Sequence, residues 1–218
     1  MNISATNIRR ALILVSLIAP AGAFSAEPRP EDKPELREGD LVFIQSMTAQ
    51  APALREVMGS SWTHVGIAVR KDSSWFVAET AATVSLTPLP KFLDKSSGRS
   101  FLVKRFKPWN ARPNKKSRAA LKKWLLAGLG KKYDVYFEWS DAAFYCSEYV
   151  WKAYNNAVAG HPVLSKPQKF SDLRASGPLA KELIDKRYNS IAKKLNMDEP
   201  IVTPTALLNS DLLQTVPQ

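Results

Sequence analysis

One thiol and two imidazoles are all that 218 residues offer for catalysis by a cysteine nucleophile: Cys146, His64 and His161. A thiol attacks a carbonyl efficiently only as thiolate, so it needs a base within hydrogen-bonding reach or a positively polarised setting. Cys146 stands in FYCSEYVW (144–151), in the opening turns of a stretch with helical spacing. There the helix dipole favours the thiolate, and the unpaired N–H groups of the first turn can face an oxyanion. Counting alone argues the other way. A lone cysteine is commonly a small buried hydrophobe, and Val150, Trp151 and Tyr154 mark this helix as core-facing.

The base narrows by context. His161 lies in Gly160-His161-Pro162, a turn signal, and reads as a solvated surface residue. His64 lies in WTHVGIAV (62–69), which alternates as a strand does, with Thr63, Val65, Ile67 and Val69 on one face. Gly66 and Ala68 share the face of His64 and leave room for a group to approach it. A third group must orient the imidazole and hold its tautomer, and Glu79, on the next predicted strand, is a carboxylate in position to do so. Two histidines and one cysteine form no recognisable metal-ligand spacing, and this chemistry requires no cofactor.

These residues need elements to hold them. The apolar run 41–44 behind the turn Gly39-Asp40 predicts a buried strand, and 51–60 a connector with a helical turn. Strands follow at 62–69, 75–80 and 101–106, with 83–86 as hairpin partner or continuation of the second. Helices then take over. One spans 117–129 with lysines opposite its apolar face, one spans 141–156 with Asp141 as N-cap, and one spans 178–195. The Pro-containing tail is expected to wrap back over the domain. Strands first and helices after make an α+β domain, with an antiparallel sheet or small barrel packed against helices.

The segments GDLVF (39–43), WTHVGI (62–67), FVAET (76–80), GKKYD (130–134), YCSEYVW (145–151) and IVTPTALL (201–208) resemble, in order and spacing, the permuted papain-like amidases of the YiiX/YaeF-like group in the NlpC/P60 superfamily. In that superfamily the cysteine usually precedes the histidine. Here His64 precedes Cys146, the order that circular permutation of a papain-like core produces. The resemblance implies Cys146 as nucleophile, His64 as base and Glu79 as orienting acid, and places Tyr133 near the oxyanion or substrate. Tyr145 and Glu148 complete the substrate-facing set, although Glu148 points about 200° away from Cys146 on a helix and also reads as a structural hydrogen-bonding residue. Tyr149 departs from the family pattern, where a smaller aliphatic residue is common.

The N-terminus frames where this chemistry would happen. Arg9 and Arg10 precede an apolar run at 11–19 that is too short to span a bilayer, and small residues follow. Residues 1–23 therefore read as a signal peptide, cut between 23 and 26, residues 24–38 as an extended lead-in and 39–218 as the catalytic domain. Export to the periplasm or outside the cell is the expectation, with no transmembrane segment in the mature form. The formal charge of +11 concentrates between Lys104 and Lys132 and suits an anionic envelope surface, while no nucleic-acid reader motif is present. The expected substrate is an amide-containing small molecule or peptide, peptidoglycan-derived or another envelope amide. Two alternatives remain: a lipid thioesterase or acyltransferase, and a catalytically silent envelope-binding module of the same fold.

Overall fold

The computed structural model describes residues 35–111, 114–173, 177–189 and 194–217. The expected signal peptide and all but the last residues of the lead-in lie outside them. β1 (Leu41–Ser46) is central, and its first four residues are wholly buried, which is why both of its faces are apolar. After α1 (Ala51–Met58), closed by Gly59 in the left-handed region, β2 (His64–Lys71) pairs antiparallel with β1. A two-residue hairpin leads to β3 (Ser74–Thr80), and β4 (Val84–Pro88) is its hairpin partner. The short α2 (Leu89–Leu93) then feeds β5 (Ser96–Phe106), which returns along the far side of β1.

The helical part begins with α3 (Pro108–Ala111) and α4 (Lys115–Ala127), whose first turn is capped by Asn114 Oδ1 accepting from the Ser117 N–H at 2.9 Å. A two-residue parallel pair, β6 (Lys132–Tyr133) and β7 (Ala143–Phe144), precedes α5 (Cys146–Ala157). Beyond it come β8 (Gln168–Lys169), α6 (Pro178–Tyr188), β9 (Pro200–Ile201), α7 (Pro204–Leu208) and β10 (Leu213–Thr215). β10 does return to the sheet, as the tail was expected to, and pairs with β5.

The six-stranded sheet runs β10-β5-β1-β2-β3-β4, antiparallel throughout and open between β10 and β4. The small-barrel alternative is thereby corrected: among the described residues the edge strands do not meet. Leu41, Phe43, Val65 and Ile67 face α5, where Tyr149, Val150, Ala153 and Tyr154 cover them. Val42, Ile44, Ala68 and Val77 face the other way, against Phe92 of α2. Each valine, leucine, isoleucine or phenylalanine among them contributes about 1.5–3 kcal/mol by leaving water. Arg105 makes a two-pronged ion pair with buried Asp40, Nε to Oδ1 at 2.8 Å and Nη2 to Oδ2 at 2.7 Å, fastening the start of β1 to β5. Tyr149 fills the seam between α4 and α5, its hydroxyl donating to the Leu125 carbonyl at 2.7 Å. No helix among the described residues is long and apolar enough to cross a membrane.

One boundary differs in a way that matters. The sequence places the cysteine helix from residue 141 with Asp141 as its cap, whereas α5 starts at Cys146 with extended Tyr145 in the cap position. Residues 143–144 are committed to the parallel pair with β6, and Asp141 is drawn off by Lys152 at 2.8 Å. Tertiary contacts override the local cap preference of aspartate.

Candidate active site

Cys146 is the first helical residue of α5, so its sulfur and the unpaired N–H groups of that turn share one spot. The start of α5 is clamped from both sides. Ser147 Oγ donates to the Val202 carbonyl at 2.7 Å, and the Val202 N–H donates to the Tyr145 hydroxyl at 3.1 Å. Beneath it, fully buried Glu148 accepts from the Tyr145 N–H at 3.3 Å and pairs with Lys152 at 2.8 Å. Burial outweighs Lys152 and pushes the Glu148 carboxyl up to about 8. Glu148 borders neither cavity described below. The structure places Glu148 where it closes the turn that presents the cysteine.

His64 opens β2, and its imidazole and the Cys146 thiol act on each other's titration, chiefly through charge. The ring is fixed by Glu79, whose Oε2 lies 2.7 Å from Nε2, so Nδ1 is the nitrogen not engaged by the carboxylate. The register explains this contact. Ile67 opposes Ala78 across β2 and β3, so Glu79 falls beside Gly66 on the face that carries His64. A Cβ at Gly66 would overlap Val77 Cγ1 and stand 2.8 Å from the Ala78 carbonyl oxygen. The space beside the histidine is thus filled by the strand that delivers Glu79. Phe92 backs the imidazole, with ring centroids 5.7 Å apart.

Electrostatics favour an ionised pair. Burial alone pushes the Cys146 thiol up, but the charge and hydrogen bond of His64, with the Val65 and Ser147 N–H groups directed at the sulfur, hold it below its ordinary value. Burial alone lowers His64. The thiolate and then Glu79 outweigh it and raise the imidazole to about 10. Glu79 is wholly buried, which by itself would raise it, yet His64, Lys95 and Thr87 hold it at about 2. Its Oε1 accepts from both Thr87 Oγ1 and Lys95 Nζ.

Two cavities meet here. The first, of about 60 Å³, has an almost wholly apolar wall drawn from α1, α6 and the 201–204 segment, including Val57, Met58, Leu183, Ile184 and Val202, with Cys146 and the Tyr145 ring on one side. The second, of about 310 Å³, has a mixed wall, apolar over most of its area, into which Ser46, Thr48, His64, Glu79 and Lys95 bring polar groups. Leu54, Thr63, Tyr133 and Arg187 border both. The Tyr133 hydroxyl accepts from Gln50 Nε2 at 3.2 Å, and burial raises it, so it stays protonated. The Arg187 guanidinium lies 4.9 Å over the Phe137 ring and donates to the Val135 carbonyl at 3.0 Å.

The structure therefore gathers Cys146, His64, Glu79, Tyr133 and Tyr145 around one site, with Tyr145 offering its ring and not its hydroxyl. His161 is exposed elsewhere, its Nδ1 2.7 Å from the Asn155 carbonyl oxygen. Lys95, Thr87, Thr63 and Arg187 escaped the sequence reading; only Thr63, next to His64, carried a local signal. Chemically, the arrangement can hold a thiolate beside an imidazolium, at a helix start, with a protonated phenol near by. No group of three or more His, Cys, Asp or Glu side chains able to hold a metal occurs among the described residues.

Residues 35–217 match the model of a family described as permuted papain-like amidase enzyme, YaeF/YiiX, C92 family. The chain is similar to the uncharacterized protein YiiX of Escherichia coli strain K12, with 28% identity over 210 residues covering 96% of each chain. It also resembles the crystal structure of the metalloprotein YiiX from Escherichia coli O157:H7, with a TM-score of 0.76, 29% identity, and coverage of 83% of this chain and 96% of that one.

Proposed function

Because the chain belongs to the permuted papain-like amidase family, whose α+β fold it has, we propose that it hydrolyses an amide through Cys146, His64 and Glu79. The carrying observation is an imidazole held through Nε2 by Glu79 at 2.7 Å that at the same time acts on the Cys146 thiol at the start of α5 and lowers it. Thiolate attacks the carbonyl carbon, and the oxyanion is met by the N–H groups at the start of α5 and by the Tyr133 hydroxyl. His64 gives its proton to the departing amine, leaving a thioester on Cys146. Neutral His64 then takes a proton from water, which attacks the thioester, and the acid and the Cys146 thiolate are released, restoring the imidazolium–thiolate pair. The low-lying thiol supports this reading over a catalytically silent module.

The two cavities suggest how the substrate lies. The proton donor must face the leaving nitrogen, so the larger cavity, beside His64, takes the amine and the small apolar cavity beside Cys146 takes the acyl half. An apolar acyl group is thus preferred. The same cavity supports a second reading, hydrolysis or transfer of the acyl chain of a lipid ester or thioester. Arg9, Arg10 and the apolar run after them support export, which would place the protein among envelope amides such as peptidoglycan peptides.

The metalloprotein character of the crystallised YiiX does not carry over to these residues. A metal at this site would draw on Cys146, His64 and Glu79, and Glu79 is already taken up by His64, Thr87 and the cation of Lys95, which leaves fewer than three donors. No step is routed through a metal. The test incubates the purified protein with a peptidoglycan stem peptide, an N-acyl amide and an acyl p-nitrophenyl ester, and reads the mass of Cys146. An acyl adduct that forms and decays, absent in Cys146→Ser, is the expected result. If no acyl donor ever modifies Cys146, the proposal fails.

A further inference from the structure

Glu79 presents a problem that the Cys146-His64-Glu79 set does not solve. A wholly buried carboxylate stays ionised only beside a compensating charge, and the imidazolium of His64 supplies one for only part of the proposed cycle. Once His64 has given its proton to the leaving group it is neutral. We propose that Lys95 is a positioning residue of this site, a standing cation that keeps Glu79 ionised throughout turnover and shares that carboxylate's charge with His64. The inference rests on the cysteine-hydrolase reading above.

The geometry is specific. The carboxylate is divided: Oε2 faces His64 Nε2 at 2.7 Å, and Oε1 faces Lys95 Nζ and Thr87 Oγ1. Lys95 is held by its backbone, its N–H donating to the Phe92 carbonyl at 3.2 Å and its own carbonyl accepting from the Met47 N–H at 3.1 Å. Its ammonium lies 6.0 Å from the centroid of the Phe92 ring, the ring that also backs His64. One aromatic pedestal from α2 thus seats both cations that flank Glu79. The other titratable groups in this setting are Cys146, facing His64 from α5, and Tyr133 and Arg187, which border the cavity from β6 and α6.

The signs follow from charge alone. Without the ammonium, Glu79 takes up a proton more readily, so the acid limit of the imidazolium–thiolate pair rises. While Glu79 is ionised, loss of the nearby cation also relieves repulsion on the imidazolium, so the alkaline limit rises as well. Both limbs move up, by about one pH unit, the low end of the range for a close charge because the Lys95 side chain is 35% exposed. The acid limb is read from the rate of Cys146 alkylation by iodoacetamide. The alkaline limb is read from the imidazole proton resonances, which come from only two histidines.

In Lys95→Met both limbs should rise and thioester decay should slow, and Lys95→Arg should restore both limbs. Lys95→Gln keeps a hydrogen-bond donor without charge, should behave as Lys95→Met does, and stands in for it if that variant does not fold. A lowered melting temperature with both limbs in place would overturn the proposal and leave Lys95 a structural partner of Glu79. A wild-type thiol that titrates at the ordinary value would instead sink the cysteine-hydrolase reading itself.

Discussion

Glu79→Gln isolates the carboxylate's charge from its shape. The amide still presents an oxygen to the His64 Nε2–H, now 2.7 Å from Glu79 Oε2, so the ring keeps its orientation. What disappears is a full negative charge, wholly buried and in direct contact with the imidazole. A charge at that distance shifts a partner by about one to three pH units, and the depth of burial argues for about two. Two units correspond to about 3 kcal/mol, or about a 100-fold change in the equilibrium that holds the imidazolium. His64 is raised to about 10 in the native protein. Removing the anion lowers it, so the alkaline limb of acyl transfer and the imidazole resonances should both fall by about two units. Lys95→Met should move the same limb upward. An unchanged alkaline limb in a folded Glu79→Gln protein would refute the claim that Glu79 supports the imidazolium, however close the two side chains lie.

Two further outcomes test the frame around the site. Gly66→Ala forces a methyl against Val77 Cγ1 and the Ala78 carbonyl, which is backbone and cannot swing away. It should cost about 1–3 kcal/mol in urea unfolding and slow Cys146 alkylation by pushing Glu79 off His64. Glu148 is raised in the fold from 4.5 to about 8, so the native state holds its proton more tightly than the unfolded chain. That contribution to stability is complete below pH 4.5 and is lost as pH rises through about 8. Glu148→Gln keeps the acceptor for the Tyr145 N–H and should abolish this loss, measured as the fall in unfolding free energy between pH 4.5 and about 8.

The parts of the site legible in the sequence are those whose scarcity or strand position leaves few choices. Among two histidines, one sits in a turn and the other mid-strand beside two small residues, so His64 stands out. Glu79 is legible because an antiparallel hairpin puts the next strand's polar residue alongside. Lys95 is not, because it is one of 31 basic residues and reaches Glu79 from a loop beyond α2. The apolar cavity is hidden for a related reason: α1, α5, α6 and the 201–204 segment each supply one wall, and none carries a pattern that differs from ordinary core. The start of α5 was misplaced because Asp141 looks like a cap locally, while the true boundary depends on Glu148 folding back and on the pairing of β6 with β7.

The clamp on α5 has a kinetic consequence. Ser147 and Tyr145 are held to Val202 across 55 and 57 residues of chain. Closing such long loops costs entropy that only the finished contacts repay, so these pairings belong to the late stages of folding. Until they form, Cys146 lacks the His64 and backbone N–H groups that acidify it and titrates as an ordinary free thiol. The nucleophilicity proposed for Cys146 is thus a property of the completed tertiary structure, and a chain still folding carries its cysteine in an unarmed state.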